Sequence, residues 1–500
     1  MPTAPGSYVN VTAAPPSPNG STPTGVWFVT GQTYMGPTGV AVPLTSMTDF
    51  INFLGPRSVG TNSFALLYDA MDEFFHDGGI QAYASRVVGP GAATAQVTVN
   101  DNSAVPTLTF KAVGAGSWGD NLSVVIASGT VAYSYTVAVY LNGTQVGSTT
   151  PNLFTPQDAV TWFASLNPWQ CLVTVQNNGS ATTPPSNNPA TGTYTLTNGS
   201  DDWSHVTDTQ FTAALTAFPL SLGPGQVSAP GHMTNTGYDA LVNHAIANQR
   251  VAILDVADSP TASTLTAQAS GVQNSVVDPS YGGLFGPWII LPGITSSTPG
   301  AASPIPNRVC PPSALVAAQC AANDTTSDAN QAAAGPNGQS SYAIGVTQVY
   351  SLADRGTLNA AGVNIIQNLF GTVTIYGFQS LALDPNWVQL NWVRMRMQME
   401  YELGRIADGY VFTSIDGKGQ KFAELNGALA GRCQQYYLNN SLYGANSGAA
   451  FTVNTGPQVN TITTISNAQI VAQVLCRMSE AANQVIINVV KYLPSASLPA

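Results

Sequence analysis

The sequence predicts a multidomain α/β (α+β) protein that carries a mainly β insertion. Strand-like and helix-like segments alternate through residues 25–91 and again through 201–350, the pattern of a parallel or mixed sheet with helical crossovers. Between them, residues 92–200 hold short β-branched runs separated by turn residues, the pattern of a β-rich unit. A proline-rich lead-in and a mixed 150-residue tail complete the chain. The expected partition is an arm over 1–24, a discontinuous central α/β domain over 25–91 and 201–350, an inserted outer domain over 92–200, and a C-terminal α/β domain over 351–500.

Ser7–Thr12 (SYVNVT) has strand composition, and Pro15, Pro16, Pro18 and Pro23 then keep the chain extended. A lone strand behind such a linker is stabilised only by pairing with a sheet edge. Val26–Thr30 and Val40–Leu44 read as strands. Met47–Leu54 and Ser63–His76 read as helices, the second stopped by Gly78-Gly79. Ala82–Val88 is the next strand. In the insertion, strands are expected at Ala95–Asn100, Pro106–Ala112, Leu122–Ser128, Ala132–Leu141 and Cys171–Gln176, with one helix at Gln157–Leu166 and a loop over Thr182–Thr193.

Downstream, helices are expected at Thr207–Leu215, Tyr238–Asn248, Leu265–Ser275 and Leu315–Asn323, and strands at Gln226–Ala229, Arg250–Val256 and Trp288–Leu291. Leu352–Asn368 reads as a short helix and a turn, and Thr372–Tyr376 as a strand. Asp384-Pro385 is a turn dipeptide. Trp387–Trp392 alternates like a half-buried strand, and Val393–Ile406 takes up a helical period. Gln420–Leu438 is a further helix. Ala449–Asn454 and Gln469–Arg477 read as strands, and a terminal strand lies within 482–493.

Only 8% of residues are charged, against roughly 25% in ordinary soluble domains, and the net charge is -11. A polar, nearly uncharged surface suits a chain covered by neighbours or one exposed outside a cell. The acidic balance removes the electrostatic footprint of a nucleic-acid binder. Met1 is followed by Pro-Thr-Ala-Pro-Gly, without the basic and apolar regions of an export signal. No apolar run reaches the roughly 18 residues of a membrane helix. Cys171, Cys310, Cys320, Cys433 and Cys476 are odd in number and lack a C-x-x-C pair, so they read as buried free thiols.

The chemistry sought in the sequence is mostly missing. Gly223-Pro224-Gly225 with Gly231 has the wrong spacing for a dinucleotide loop, and Asp416-Gly417-Lys418-Gly419 is not a phosphate loop. His76, His205, His232 and His244 are too dispersed for a metal site, and His76 suits a helix C-terminus. Asp255 and Asp258 follow a parallel-type strand, where α/β enzymes place acids; a turn or helix-cap role is the expected one. Trp387, Trp392 and Tyr401 read as core. Four of the 14 basic residues, Arg355, Arg394, Arg396 and Arg405, fall within Ser351–Phe412. That grouping fits ion pairing at an interface or plain surface solvation.

Several short motifs recur in a definite order. They are Pro5–Asn10 (PGSYVN), Trp27–Gly31 followed by Met35-Gly36-Pro37, and Phe74-Phe75 with Gly78-Gly79, Ala82 and Arg86. Gly116–Asn121, Gly225–Gly231, Val251–Asp255 and Arg308–Ala318 follow. The densest set is Leu358-Asn359, Gly362-Val363-Asn364, Tyr376-Gly377, Asp384–Trp387, Asn391–Arg396, Phe412, Phe422 and Leu425–Gly431. In this order they resemble the contractile tail sheath proteins of myovirus-type bacteriophages and related phage-tail-like contractile injection systems. Two departures stand out: Met395 separates Arg394 from Arg396, where the family often has adjacent arginines, and Ala481-Ala482-Asn483 replaces a proline–acid–phenylalanine turn.

The resemblance implies a structural virion protein with no catalytic residue, cofactor or metal. Such a subunit polymerises as stacked hexameric rings around a tail tube and contracts to drive the tube through a host envelope. The implied partners are its own copies, the tail tube protein, and baseplate and tail terminator proteins, with no nucleic acid and no membrane insertion. Its place would be the contractile tail of the virion, after assembly in the bacterial cytoplasm. Tyr8, Val9 and Val11 in the arm, and Val485, Ile487 and Val489 in the terminal strand, would leave their own subunit to extend a neighbour's C-terminal sheet. Arg355, Arg394, Arg396 and Arg405 would be interface charges. A secreted or surface-layer β-rich protein is the alternative, and an enzyme built on Asp255 or Asp258 is the third reading.

Overall fold

The computed structural model describes residues 24–57, 65–295, 304–483, 485–487 and 491. The first strand, β1 (Trp27–Gly31), is buried along its whole length. Chain order then gives β2 (Val42–Leu44), α1 (Met47–Leu54), α2 (Ala65–His76) and β3 (Ala82–Arg86). Ser46 caps α1 by accepting from the Asp49 amide, and Gly55 ends it at φ 95°.

The chain next leaves for the insertion. Its elements are β4 (Gln96–Asn100), β5 (Pro106–Ala112), β6 (Leu122–Ser128), β7 (Tyr135–Leu141), β8 (Thr144–Val146), α3 (Pro156–Ala164), α4 (Pro168–Cys171), β9 (Val173–Asn177) and β10 (Gly192–Thr195). β4, β5 and β9 form one sheet, and β10, β6, β7 and β8 a second. Leu108, Phe110, Trp118, Val137 and Phe163 pack between them in a core of their own, joined by Met35. β8 and β10 went unrecognised in the sequence; β10 starts inside the stretch read as loop. The two connecting segments are zipped together: Ala93 bridges Ser200, and Gln96 bridges Thr197. Arg86, buried at the end of β3, donates from Nη1 to the carbonyls of Gly36 (3.0 Å) and Ala115 (2.6 Å). One guanidinium therefore ties β3 to the loop after β1 and to the insertion.

After the insertion come α5 (Asp208–Leu215), β11 (Gln226–Ser228), α6 (Asn235–Ala247), β12 (Val251–Asp255), α7 (Ala262–Ser275), β13 (Gly282–Gly286) and β14 (Ile289–Leu291). A short pair, β15 (Ile294–Thr295) and β16 (Pro304–Ile305), precedes β17 (Arg308–Cys310), α8 (Ser313–Asp324) and β18 (Gly345–Val346). Then follow α9 (Leu352–Ala360), β19 (Val363–Leu369), β20 (Thr372–Ile375), α10 (Leu390–Asp408), α11 (Gln420–Leu438), α12 (Ser447–Ala450), β21 (Phe451–Asn454), α13 (Ile462–Ser466) and β22 (Gln473–Cys476). None of the described helices is long and apolar enough to cross a membrane.

The main sheet has the order β2-β3-β1-β11-β12-β13-β19-β20. Its six inner strands are parallel, and β2 and β20 close it antiparallel at the two edges. The sheet draws strands from before the insertion, from after it, and from beyond residue 351. The boundary expected at 350/351 thus falls between strands of one sheet. Its central strands are buried on both faces, as crossover helices require.

Three expectations need correction. Residues 363–369, read as the end of a helix and a turn, are the strand β19. Gly362 (φ 78°) stops α9, and the β-branched residues that follow lie beside β13. Trp387–Trp392 is not a strand. Asp384 caps a single 3-10 turn over Pro385–Trp387, a short extended segment pairs Gln389 with Gln379, and α10 begins at Leu390. The strand β13 has no counterpart among the expected elements, and three of its five residues are glycines, which weaken a strand signal. They serve close packing instead: a Cβ on Gly286 would lie 2.0 Å from Val256 Cγ2, and one on Gly283 2.8 Å from Leu390 Cδ2.

This packing makes a direct prediction. Gly286→Ala should lower stability by about 1–3 kcal/mol through overpacking, read as a lower urea midpoint, and adding Val256→Ala should restore part of the loss.

Candidate functional site

The segment after β20 folds as a smaller unit beside the main sheet. Helices α10 and α11 form a hairpin over a small separate core of Met395, Met399, Tyr436, Leu442 and Ala450. On it rests a sheet of only two strands, β21 and β22, in the register Phe451↔Cys476 to Asn454↔Gln473. Phe451, Val474 and Cys476 point to the core, while Leu475 is 55% exposed. Among the described residues neither strand has a second ladder partner. A two-stranded ribbon is marginal alone; among the described residues its outer edges carry no further strand, only the Asn426 contact given below and a single bridge, Leu442 to Met478, just past β22. The hairpin holds it by side chains: Asn426 Nδ2 donates to Val453 O (2.9 Å), and Thr455 Oγ1 to Phe422 O (2.8 Å).

Among the described residues the terminal segment supplies no partner strand within the chain. Val485 and Ile487 carry no ladder pairing and are 81% and 79% exposed. Tyr8, Val9, Val11 and Val489 lie outside the described residues. The strand expected over 482–493 is thus not formed at residues 485–487 in the single chain, since no edge of its own fold receives it there.

The four arginines do not form one cluster. Arg394 is fully buried, and its Nη2 lies 2.6 Å from Asp324 Oδ2 at the end of α8. Its Nη1 also donates to Ala329 O. Arg396 is sandwiched between the rings of Tyr281 (4.1 Å) and Trp387 (4.3 Å) and donates to Ser280 Oγ. Arg355 reaches across to Gln367 Oε1 (2.7 Å). Arg405 is exposed and lies over Tyr401. Arg394 is thus engaged inside its own chain: it joins α10 to α8, and the helical spacing of Arg394, Met395 and Met399 could not reveal which partner faced it.

No protein-family model and no curated protein matches the sequence. Solved structures do. The sheath tail protein of Listeria innocua is 12% identical, with a TM-score of 0.58 over 88% of this chain and 90% of that chain. The helical sheath of the anti-feeding prophage in its contracted state is 14% identical, with a TM-score of 0.54 over 98% and 99% of the two chains. The contracted PVC sheath complex of an extracellular contractile injection system is 13% identical, with a TM-score of 0.53 over 98% of each. This chain has the fold of contractile sheath proteins.

Within the sheath fold, the acids and histidines act as structure. Asp255 caps α8: its carboxylate accepts from the Ser313 amide (2.7 Å), Ser313 Oγ (2.9 Å) and the Gly231 amide (3.2 Å). Burial pushes this carboxyl up to about 7 against those three donors. The helix-cap role expected of such an acid is therefore the one Asp255 has. Asp258 bonds only to neighbouring Ser259. His232, in the loop before α6, meets Asp208 of α5 at 2.7 Å, a partner that linear spacing did not reveal, and His244 meets Arg250 at 2.9 Å. His76 sits in the last turn of α2, stacked on Tyr342. Among the described residues no group of three or more His, Cys, Asp or Glu is placed to hold a metal.

The sequence reading also missed a buried acidic face on α2. Asp69 and Asp72 bind Arg308 at 2.7 and 2.8 Å, and Asp77 accepts from Ser341. Glu73 is wholly buried. Burial, and the negative charge of Asp77 next, raise its carboxyl well above the usual range. The signal was present, since Asp69, Asp72, Glu73 and Asp77 recur at helical spacing. The apolar residues of the same helix masked it, because α2 is buried on nearly every side.

Two predictions follow from this chemistry. Arg394→Ala leaves Asp324 buried and unpaired and should cost about 3–5 kcal/mol, whereas Arg405→Ala should stay within about 0.5 kcal/mol; urea unfolding of both variants checks the contrast. Glu73 holds its proton more tightly folded than unfolded, so its contribution to stability falls as pH rises above the ordinary carboxyl range. Glu73→Gln should therefore gain stability over the parent at pH 8 relative to pH 5, read by melting at the two pH values.

Proposed function

We propose that this protein is the sheath subunit of a contractile phage tail or of a tail-derived injection particle. The observation that carries the reading is a likeness spanning 98% or more of both chains to sheaths described in their contracted state. The open ribbon of β21 and β22 supplies the physical counterpart. In this reading subunits stack as hexameric rings around a tail tube. The arm with Tyr8, Val9 and Val11, and the terminal segment with Val485, Ile487 and Val489, come from neighbouring subunits. They add strands to the two free edges of the ribbon, and main-chain hydrogen bonds then lace the polymer.

The extended polymer is the metastable state. A signal at the baseplate releases it, and subunits rotate and move outward while the laced ribbons stay intact. The sheath shortens and drives the tube through the host envelope. Its further partners are the tube protein, the baseplate and the tail terminator, and it is assembled in the bacterial cytoplasm. Arg355 and Arg405 are the interface charges in this reading, and Arg394 and Arg396, which are engaged within the subunit, would take part only by exchanging those partners. Nothing in this task needs an active site, and the low charge density limits repulsion among many packed copies.

Electron microscopy of purified protein tests the reading: rings or tubes of fixed diameter are expected, and a monodisperse monomer at high concentration counts against it. Removing residues 1–20 or 484–500 should abolish polymers while the circular dichroism spectrum and main melting transition persist. Normal polymerisation of both truncations would rule out strand exchange.

A further inference from the structure

A groove of about 1250 Å³ runs along the seam between the insertion and the first helix of the main body. The body contributes Tyr34 and the α1 residues Asn52 and Phe53, and the insertion contributes the β7–β8 hairpin, α3 and α4. Nothing in the assembly described above uses this space. It exceeds the roughly 300–1,000 Å³ of ordinary small-ligand pockets, so it suits an elongated ligand of several rings.

The lining has a consistent chemistry. Trp162 and Trp169 both face the groove, and each is anchored from behind, Trp162 on the insertion core and Trp169 on the main core. Anchored indoles are rigid, flat and apolar platforms that cost little conformational entropy on binding. Around them stand side-chain amides. Those of Asn52 and Asn142 are exposed and make no hydrogen bond among the described residues. Gln170 accepts from Asn167 through Oε1, which leaves its NH2 group unused. No lining residue carries a charge.

From this we infer that the groove binds a neutral oligosaccharide. Sugar rings present apolar C–H faces that stack on aromatic platforms, and their hydroxyls both donate and accept, as side-chain amides do. The absence of lysine, arginine and histidine leaves nothing to hold a phosphate, a nucleotide or an acidic sugar. A purely apolar ligand would strand the amides without partners. The inference does not depend on polymerisation, because every lining residue belongs to one chain.

The test uses the full chain. It is applied to an array of neutral and acidic glycans, followed by calorimetric titration of the best neutral hit, with maltohexaose and chitohexaose as fixed probes. Binding to at least one neutral glycan is expected, with quenching of tryptophan fluorescence. Asn52→Ala, and Asn142→Asp, which keeps a residue that tolerates the left-handed φ of 50° there, should each weaken it by about three- to tenfold, the loss of one hydrogen bond, without moving the melting temperature. Trp169→Phe should weaken it further. Failure of every neutral glycan to bind, a preference for acidic glycans, or undiminished affinity in all three variants overturns the assignment. If Trp169→Phe alone alters melting and no glycan binds, the tryptophans serve only to pack the seam.

Discussion

A β-strand at the edge of a sheet leaves backbone donors and acceptors unpaired, and a fold must pair, cover or use them. This constraint separates the two main parts of the molecule. The eight-stranded sheet settles its β20 edge internally: Ser340 donates to Val373 O, Ile375 donates to Gly338 O, and Gln339 bridges Thr374. The ribbon of β21 and β22 does not, among the described residues. The main sheet is closed along its β20 edge within the chain, and the ribbon is left open on a helical hairpin.

Rigidity is supplied around that open element. Arg394 and Asp324 pin α10 to α8, and α8 is capped in turn by Asp255 at the end of a central strand. The ribbon is thereby linked, through α11, α10 and α8, to the middle of the main sheet. The acidic face of α2 performs the same service on the other side of α8, where Arg308, Asp69 and Asp72 join α2 to β17. In a chain with so few charges, the buried ones are concentrated at joints between elements.

The insertion is held differently. A zipped neck and the carbonyl contacts of Arg86 fix it to the body, and its core is its own apart from Met35. That arrangement lets the insertion vary in surface chemistry without disturbing the main sheet. The uncharged, tryptophan-lined groove lies along this seam, away from the ribbon.

Much of this was legible before any coordinates. Buried runs such as Trp27–Gly31 and Val251–Asp255 declare themselves as strands because two covered faces demand continuous apolar residues. Ser46 with Gly55, and Thr155 with Asp158, announce helix ends through local hydrogen bonds. The β-rich character of 92–200 follows from its alternation and turns. What the tertiary structure decided was everything that depends on a distant partner. Gly282–Gly286 is a central strand because Val256 and Leu390 leave no room for side chains. Val363–Leu369 is a strand because β13 offers an edge. Arg394 is a core residue because Asp324 faces it from 70 positions away. The sequence by itself determined local geometry and the apolar pattern, which short-range forces control; the three-dimensional fold decided register, charge partners and which edge stays open, because those depend on residues the chain brings together only on folding.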